Sequence, residues 1–193
     1  MSKRILIIDG HPDAVAEHYL HALSTAYRDG AVAAGHKVRS IIVSELRFPL
    51  LRSQSEFESA ELDESMRRCQ ADLTWAEHVV ILFPLWLGSM PALLKGFFER
   101  LLRPGFAFPR DSRGWTGLLT GRSARIIVTM GMPALWYRWF FRAHSLKSLK
   151  RNVLGFCGIG PVRMSLIGNV EGIGTARRGD WLARIQRLGH GGH

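Results

Sequence analysis

Five aromatic residues, Phe83, Trp86, Phe106, Phe108 and Trp115, fall in or beside glycine-bearing segments of a 193-residue sequence, and no acid–base pair is spaced to work beside them. Flat walls, main-chain N–H groups from glycine-bearing loops and an open face make a slot for a planar ring. Hydride chemistry on a flavin needs such a slot more than it needs a general base. The centre of the pattern is Pro84-Leu85-Trp86-Leu87-Gly88, where the apolar run 79–83 ends. Phe83 suits a buried core position equally well, whereas Trp86, in a loop beside Gly88, suits a ring contact better.

Other chemistries are excluded by what is missing. The loop Gly10-His11-Pro12-Asp13 contains neither a G-x-G-x-x-G nor a G-x-x-x-x-G-K-[ST] pattern, and no G-x-S-x-G occurs. Gly158-Ile159-Gly160 precedes an apolar run instead of following one, which suits a turn better than a phosphate cradle. Cys69 and Cys157 are far apart and read as two reduced thiols. The pairs His18/His21 and His190/His193 have spacings a metal could use, but without carboxylate or cysteine partners they read as surface histidines, and no metal site is expected. The net charge of +10 favours anionic partners of any kind. Nucleic acid is not expected among them, because no helix-turn-helix or RNA-binding signature accompanies the charge.

The elements that must position these residues alternate strand and helix. Strands are expected at 3–9, 37–43, 76–83, 123–129 and 162–167. Helices are expected at 14–35, where Leu20, Leu23, Ala26 and Tyr27 recur at helical spacing, at 56–74, from Pro91 to about residue 102, and at 175–188. Several strands are apolar on both faces, which implies a parallel sheet covered on two sides. Five such strands fit the doubly wound order 2-1-3-4-5, and that order brings loops 10–13, 84–90 and 129–133 to one edge. The length suits one domain, 1–189, with 190–193 as a flexible tail. The first residues lack the apolar core of a signal peptide, and the expected location is the cytoplasm.

Phe83-Pro84-Leu85, Gly88, Pro91-Ala92-x-Leu94-Lys95-Gly96-x-Phe98-Glu99-Arg100 and Gly105-Phe106-Ala107-Phe108 together resemble the signature of the flavodoxin-like NAD(P)H dehydrogenase (quinone) family. That family includes ancillary subunits of bacterial potassium efflux systems. Weaker matches are His11, Thr129-x-Gly131 and Phe156-Cys157-Gly158. The resemblance implies an α/β three-layer sandwich and a bound flavin, FAD first and FMN as the alternative, with NAD(P)H as co-substrate. By position, Pro84, Leu85, Trp86, Leu87 and Gly88 would hold the ring edge, and Thr129, Met130, Gly131 and Met132 would close its other side. His11 and the start of the first helix would meet the cofactor phosphates. Phe108 falls where the family places an aromatic residue over the substrate. Tyr137 matches its active-site tyrosine, and His144 lies one place beyond its charge-relay histidine.

The departures fall in two loops. Where the family offers hydroxyl or amide side chains to the phosphates, this sequence has Val15, Ala16, Glu17 and His18; Glu17 would repel a phosphate and His18 is the replacement donor. After strand four, Met130, Met132 and Pro133 are bulkier than the family pattern and would narrow the slot, weaken flavin affinity or favour FMN over FAD. The segment 135–142, five of its six central residues aromatic and interleaved with arginine, suits a subunit interface, a lid or a peripheral membrane contact.

The resulting expectation is a homodimeric oxidoreductase that passes hydride from NAD(P)H to a quinone in ping-pong fashion. The alternative is a regulatory subunit that binds a membrane transporter.

Overall fold

The computed structural model describes residues 2–59, 61–110 and 116–193. Trp115, one of the expected ring walls, lies outside them. In chain order the elements are β1 (Arg4–Asp9), α1 (Tyr19–Ala33), β2 (Lys37–Ile42), α2 (Gln54–Glu58), α3 (Glu64–Trp75), β3 (His78–Pro84), α4 (Ala92–Leu101), β4 (Ser123–Thr129), α5 (Ala134–Trp139), α6 (His144–Ser148), β5 (Val162–Ile167) and α7 (Thr175–His190). The five strands form one parallel sheet in the order β2-β1-β3-β4-β5.

Side-chain alternation along each strand builds two cores, one per face. Ile5, Ile7, Val80, Leu82 and Ile127 face α1 and α7, where they meet Leu20, Leu23, Tyr27 and Ile185. Leu6, Ile8, Val79, Ile81, Ile126 and Val128 face the other layer and pack with Met66, Leu73, Leu94, Phe97 and Leu149. β3 is central and buried on both sides along nearly its whole length. The loop at its carboxyl end is therefore carried by a strand held on both faces and both edges.

Helices α1 and α7 touch through glycine. A Cβ at Gly30 would fall 2.0 Å from the Gln186 carbonyl oxygen, and one at Gly189 would fall 2.0 Å from that of Tyr27. No side chain fits at either position.

Three boundaries differ from the sequence reading. The first helix starts at Tyr19 and not at 14, because residues 11–18 are folded back by side-chain bonds within the loop. The charged helix expected over 56–74 is two helices: Asp63 caps α3 by accepting the Met66 N–H at 2.9 Å, and Arg103 binds the carbonyls of Glu56, Phe57 and Glu61 across the break. Residues 190–193, expected as a flexible tail, are tied to the sheet. Tyr27 and Arg125 donate to the His193 carbonyl and Lys3 donates to that of Gly192. Among the described residues no helix is long and apolar enough to cross a membrane.

Candidate functional site

The loops after β1, β3 and β4 meet at the carboxyl edge of the sheet. After β3, the Leu85 N–H donates to the Thr129 carbonyl at 2.7 Å, and Trp86 and Ser89 exchange two main-chain hydrogen bonds of 2.9 Å. The two residues between them are left-handed, Leu87 at φ 47 and Gly88 at φ 76. A tight hairpin turn of this hand needs both. For Leu87 the conformation costs about 1–2 kcal/mol, and its side chain regains nothing, being fully exposed. No described hydrogen bond takes up the N–H of Leu87 or Gly88. The turn thus offers two donors and one flat side chain, Trp86, half exposed.

Tyr137 stands behind this turn. It is 2% exposed, and its hydroxyl lies 2.6 Å from Ser145 Oγ and 3.5 Å from the Gly88 carbonyl oxygen. The sequence pairs Tyr137 with His144 through the family resemblance, but the structure does not bring the two side chains together. His144 is exposed at the first position of α6, and the next residue, Ser145, makes the bond. Ser145 was missed because its only signal is a hydroxyl beside a better-known histidine.

After β4, the loop is fixed to residues 167–170: Met130 N–H donates to Ile167, Asn169 to the Met132 carbonyl and Val170 to that of Met130. Met130 is 2% exposed and its side chain belongs to the core. It contributes backbone only, so the expected narrowing by its bulk does not occur. Met132 packs partly against the same core, and Gly131 is exposed. The N–H groups of Gly131 and Met132 are likewise unused among the described hydrogen bonds.

The loop after β1 holds a cluster of three imidazoles and two carboxylates. His21 Nδ1 lies 2.8 Å from Asp9 Oδ2, its Nε2 lies 3.0 Å from the Asp13 carbonyl, and His18 Nε2 lies 2.8 Å from Asp13 Oδ2. The His11 and His18 rings stack at 4.0 Å, and His11 meets Trp86 edge-on at 6.2 Å. Reading His18 and His21 as surface histidines without carboxylate partners is therefore corrected. Asp9 ends β1 and Asp13 turns back toward α1, which closes a contact that spacing alone does not show. Burial and the neighbouring imidazoles His18 and His21 pull the pKa of His11 down, against the Asp13 carbonyl. Burial opposes charge on His21 too, but its bonds to Asp9 and Asp13 outweigh it and raise the pKa. The His18 ring holds the Asp13 carboxyl below its usual range.

The expected substrate contact, Phe108, and one expected ring wall, Phe106, lie elsewhere. α4 and the helical run from α6 into a π-helical stretch, Leu149–Gly155, both leave the carboxyl edge. At about 1.5 Å per residue each carries the chain roughly 15 Å away. Phe108 packs there, between Phe156 at 5.0 Å and Phe57 at 6.3 Å. Phe106 packs partly buried against the same core. Neither is among the residues that line the cavity beside the Trp86 turn. That cavity, of about 530 Å³, is lined by Trp86, Met90, Lys95, Ser145, Leu149 and Val153.

A planar ring with oxygen and nitrogen at its edges fits this arrangement. Four free N–H groups in two facing loops would bind the edge, Trp86 and His11 would wall it, and a Cβ at Gly88 would meet no atom within 4 Å. The phosphate half fits less well, because two carboxylates sit among its imidazoles.

Comparison with known proteins agrees with the fold. A family model described as flavodoxin-like fold matches residues 3–188. An uncharacterized NAD(P)H oxidoreductase of Haemophilus influenzae is 27% identical over 170 residues, 86% of this chain and 84% of that protein. The FMN-dependent NADH:quinone oxidoreductase of Nitratidesulfovibrio vulgaris is 31% identical over 109 residues, 53% of this chain and 49% of that protein, so the chain spans about half the length of this relative. The structure of the NAD(P)H:quinone oxidoreductase from Methanothermobacter marburgensis matches with a TM-score of 0.81 at 24% identity, over 98% of this chain and 96% of that one.

Proposed function

The chain belongs to the flavodoxin-like family, and from that footing we propose that it binds FMN and uses it to move hydride from NAD(P)H to a quinone or similar acceptor. The observation that carries this reading is the Trp86–Ser89 turn, whose two left-handed residues have N–H donors that no described hydrogen bond takes up. FMN takes precedence over FAD, because a similar protein is named for FMN and the reading needs a single phosphate at the histidine cluster. The flavin, when bound, supplies the ring that accepts hydride from one substrate and yields it to the next. One open face serves both in turn, which gives ping-pong kinetics.

The protein's own residues do the rest. Leu87, Gly88, Gly131 and Met132 N–H groups bind the ring edge and stabilise charge that grows on it. Trp86 and His11 hold its plane. Tyr137, bonded to Ser145, fixes the Gly88 peptide from behind and is a positioning residue in this reading. His18, whose Nδ1 has no partner among the described hydrogen bonds, meets the phosphate, Asp13 weakens its grip, and His21 is held back by Asp9 and the Asp13 carbonyl. Phe108 covers the acceptor only if a second copy of the chain supplies it, which favours a homodimer. Exposed Trp136 and Phe140, stacked at 5.1 Å, would then serve that interface or touch a membrane surface, and a supply of NAD(P)H favours the cytoplasm.

The carboxylates in the phosphate loop also favour a second reading, a regulatory subunit of a membrane transporter that retains flavin weakly. Fluorescence titration of the purified protein with FMN separates the two. Saturable quenching in the micromolar range, lost in Trp86→Ala, and NADH-dependent menadione reduction support the enzyme. No quenching and no reduction at any FMN concentration would reject it.

A further inference from the structure

The basic excess of this chain is confined to one part of it. Residues 1–115 hold fourteen Lys and Arg against fourteen Asp and Glu, and residues 116–193 hold twelve against two, so the whole net charge of +10 lies in the second segment. Six of those twelve cations, besides the buried Arg125, converge on the outer edge of the sheet.

β5 has a neighbour, β4, on one side only. The Pro161 and Ile167 carbonyls accept from Ala124 and Met130. By the two-residue alternation of a strand, the N–H and C=O groups of Val162, Met164 and Leu166 therefore turn outward. A groove of about 1040 Å³ runs along this edge. Arg138, Arg142, Lys147 and Lys150 line it from the α5–α6 side, Arg163 and Arg184 from the α7 side, and no Asp or Glu lines it. Among the described residues none of these six cations forms a salt bridge. Apolar contacts are present as well: Trp139 is 76% exposed, Met164 39%, and Arg184 lies over the Trp181 ring at 4.9 Å.

One or two cations suffice to guard an edge strand against pairing. Six unpaired ones repel one another, and an anionic occupant would relieve that repulsion. The outward main-chain groups decide its class. They present acceptors and donors in alternation, and a phosphodiester or lipid phosphate has no N–H to give the carbonyls. A peptide has both.

We propose that the β5 edge is a docking groove for an acidic peptide segment that adds as a sixth strand. In this mode main-chain bonds to Val162, Met164 and Leu166 set the register, and side chains of the added strand alternate between the two rows of cations. The groove is separate from the Trp86 turn, so the inference stands or falls independently of the flavin.

Fluorescence anisotropy with a labelled peptide of about ten residues alternating Glu and Val tests it. The peptide is expected to bind at low salt and to weaken as salt rises. A peptide alternating Glu and Pro, equal in charge but unable to pair as a strand, should bind about tenfold more weakly. Met164→Pro removes an outward N–H and no bond to β4; it should weaken the Glu–Val peptide about tenfold while leaving the melting temperature within a few degrees and FMN binding unchanged. Arg138→Glu with Arg142→Glu should do the same by charge. Equal binding of the Glu–Pro peptide, or tighter binding of oligothymidylate or of phosphatidylserine vesicles, would overturn the proposal in favour of a charged surface for another partner. Absence of peptide binding at low salt would overturn it in favour of a guarded edge.

Discussion

Buried as it is, the Tyr137 hydroxyl depends on Ser145 Oγ and the Gly88 carbonyl for its partners. Tyr137→Phe leaves Ser145 unpaired and the Gly88 peptide unsupported, at a cost of about 1 kcal/mol in stability. The expected kinetic result is a fall in kcat of about tenfold with the NADH KM nearly unchanged. Ser145→Ala should reproduce that fall and His144→Ala should not; the opposite order, read from steady-state menadione reduction, would restore the pairing drawn from family resemblance. His21 gives a pH prediction. Its folded pKa is raised above the ordinary 6.5 by Asp9 and Asp13. The stability it adds is therefore complete below the unfolded value and is lost as pH rises through the folded one. Urea unfolding across that window should show the slope, and His21→Asn should flatten it. At this scale the placement of Trp86 and Gly88 in a turn at a strand end was legible, because a glycine beside an aromatic residue after an apolar run suits a turn. The partners of His21 were not legible, since Asp9 meets it only after the chain turns back through twelve residues.

The turns and helices carry the next predictions. Leu87 adopts a left-handed φ with a side chain that packs on nothing. Leu87→Gly should raise stability by about 0.5–1 kcal/mol, the left-handed cost less the extra chain entropy of glycine. If the leucine serves the acceptor, the KM for menadione should rise in the same variant. Thermal melting and steady-state kinetics read the two effects separately. Between α1 and α7, Gly30→Val would drive its side chain into the Gln186 carbonyl, 2.0 Å from where a Cβ would stand. A destabilisation of about 3 kcal/mol or more is expected by chemical denaturation. The strands and α4 were legible from apolar runs and an early proline. The break between α2 and α3 was not, because helix formers continue across it and the long-range bonds of Arg103 decide the matter. Met130 was misjudged for a similar reason: sequence places it in the site loop, and only the packing shows that its side chain turns into the core.

At the scale of the whole molecule the sheet order was legible, since five apolar strands alternating with helices admit few arrangements. The location of Phe108 was not. Its motif is adjacent in sequence to α4, yet α4 carries it away from the turn it was expected to serve. If the acceptor site is shared between copies, Phe108→Ala and Trp86→Ala chains, each nearly inactive, should recover about a quarter of wild-type activity when unfolded together and refolded as a mixture. No recovery would leave Phe108 a core residue only.

The central claim, a flavin held between the loops after β3 and β4, is tested most directly by anaerobic titration of the FMN-loaded protein. Stepwise NADH should bleach the flavin absorption band and menadione should then restore it, with one FMN per chain and with binding lost in Trp86→Ala. FMN that stays free in solution, or that remains oxidised under excess NADH, would contradict it.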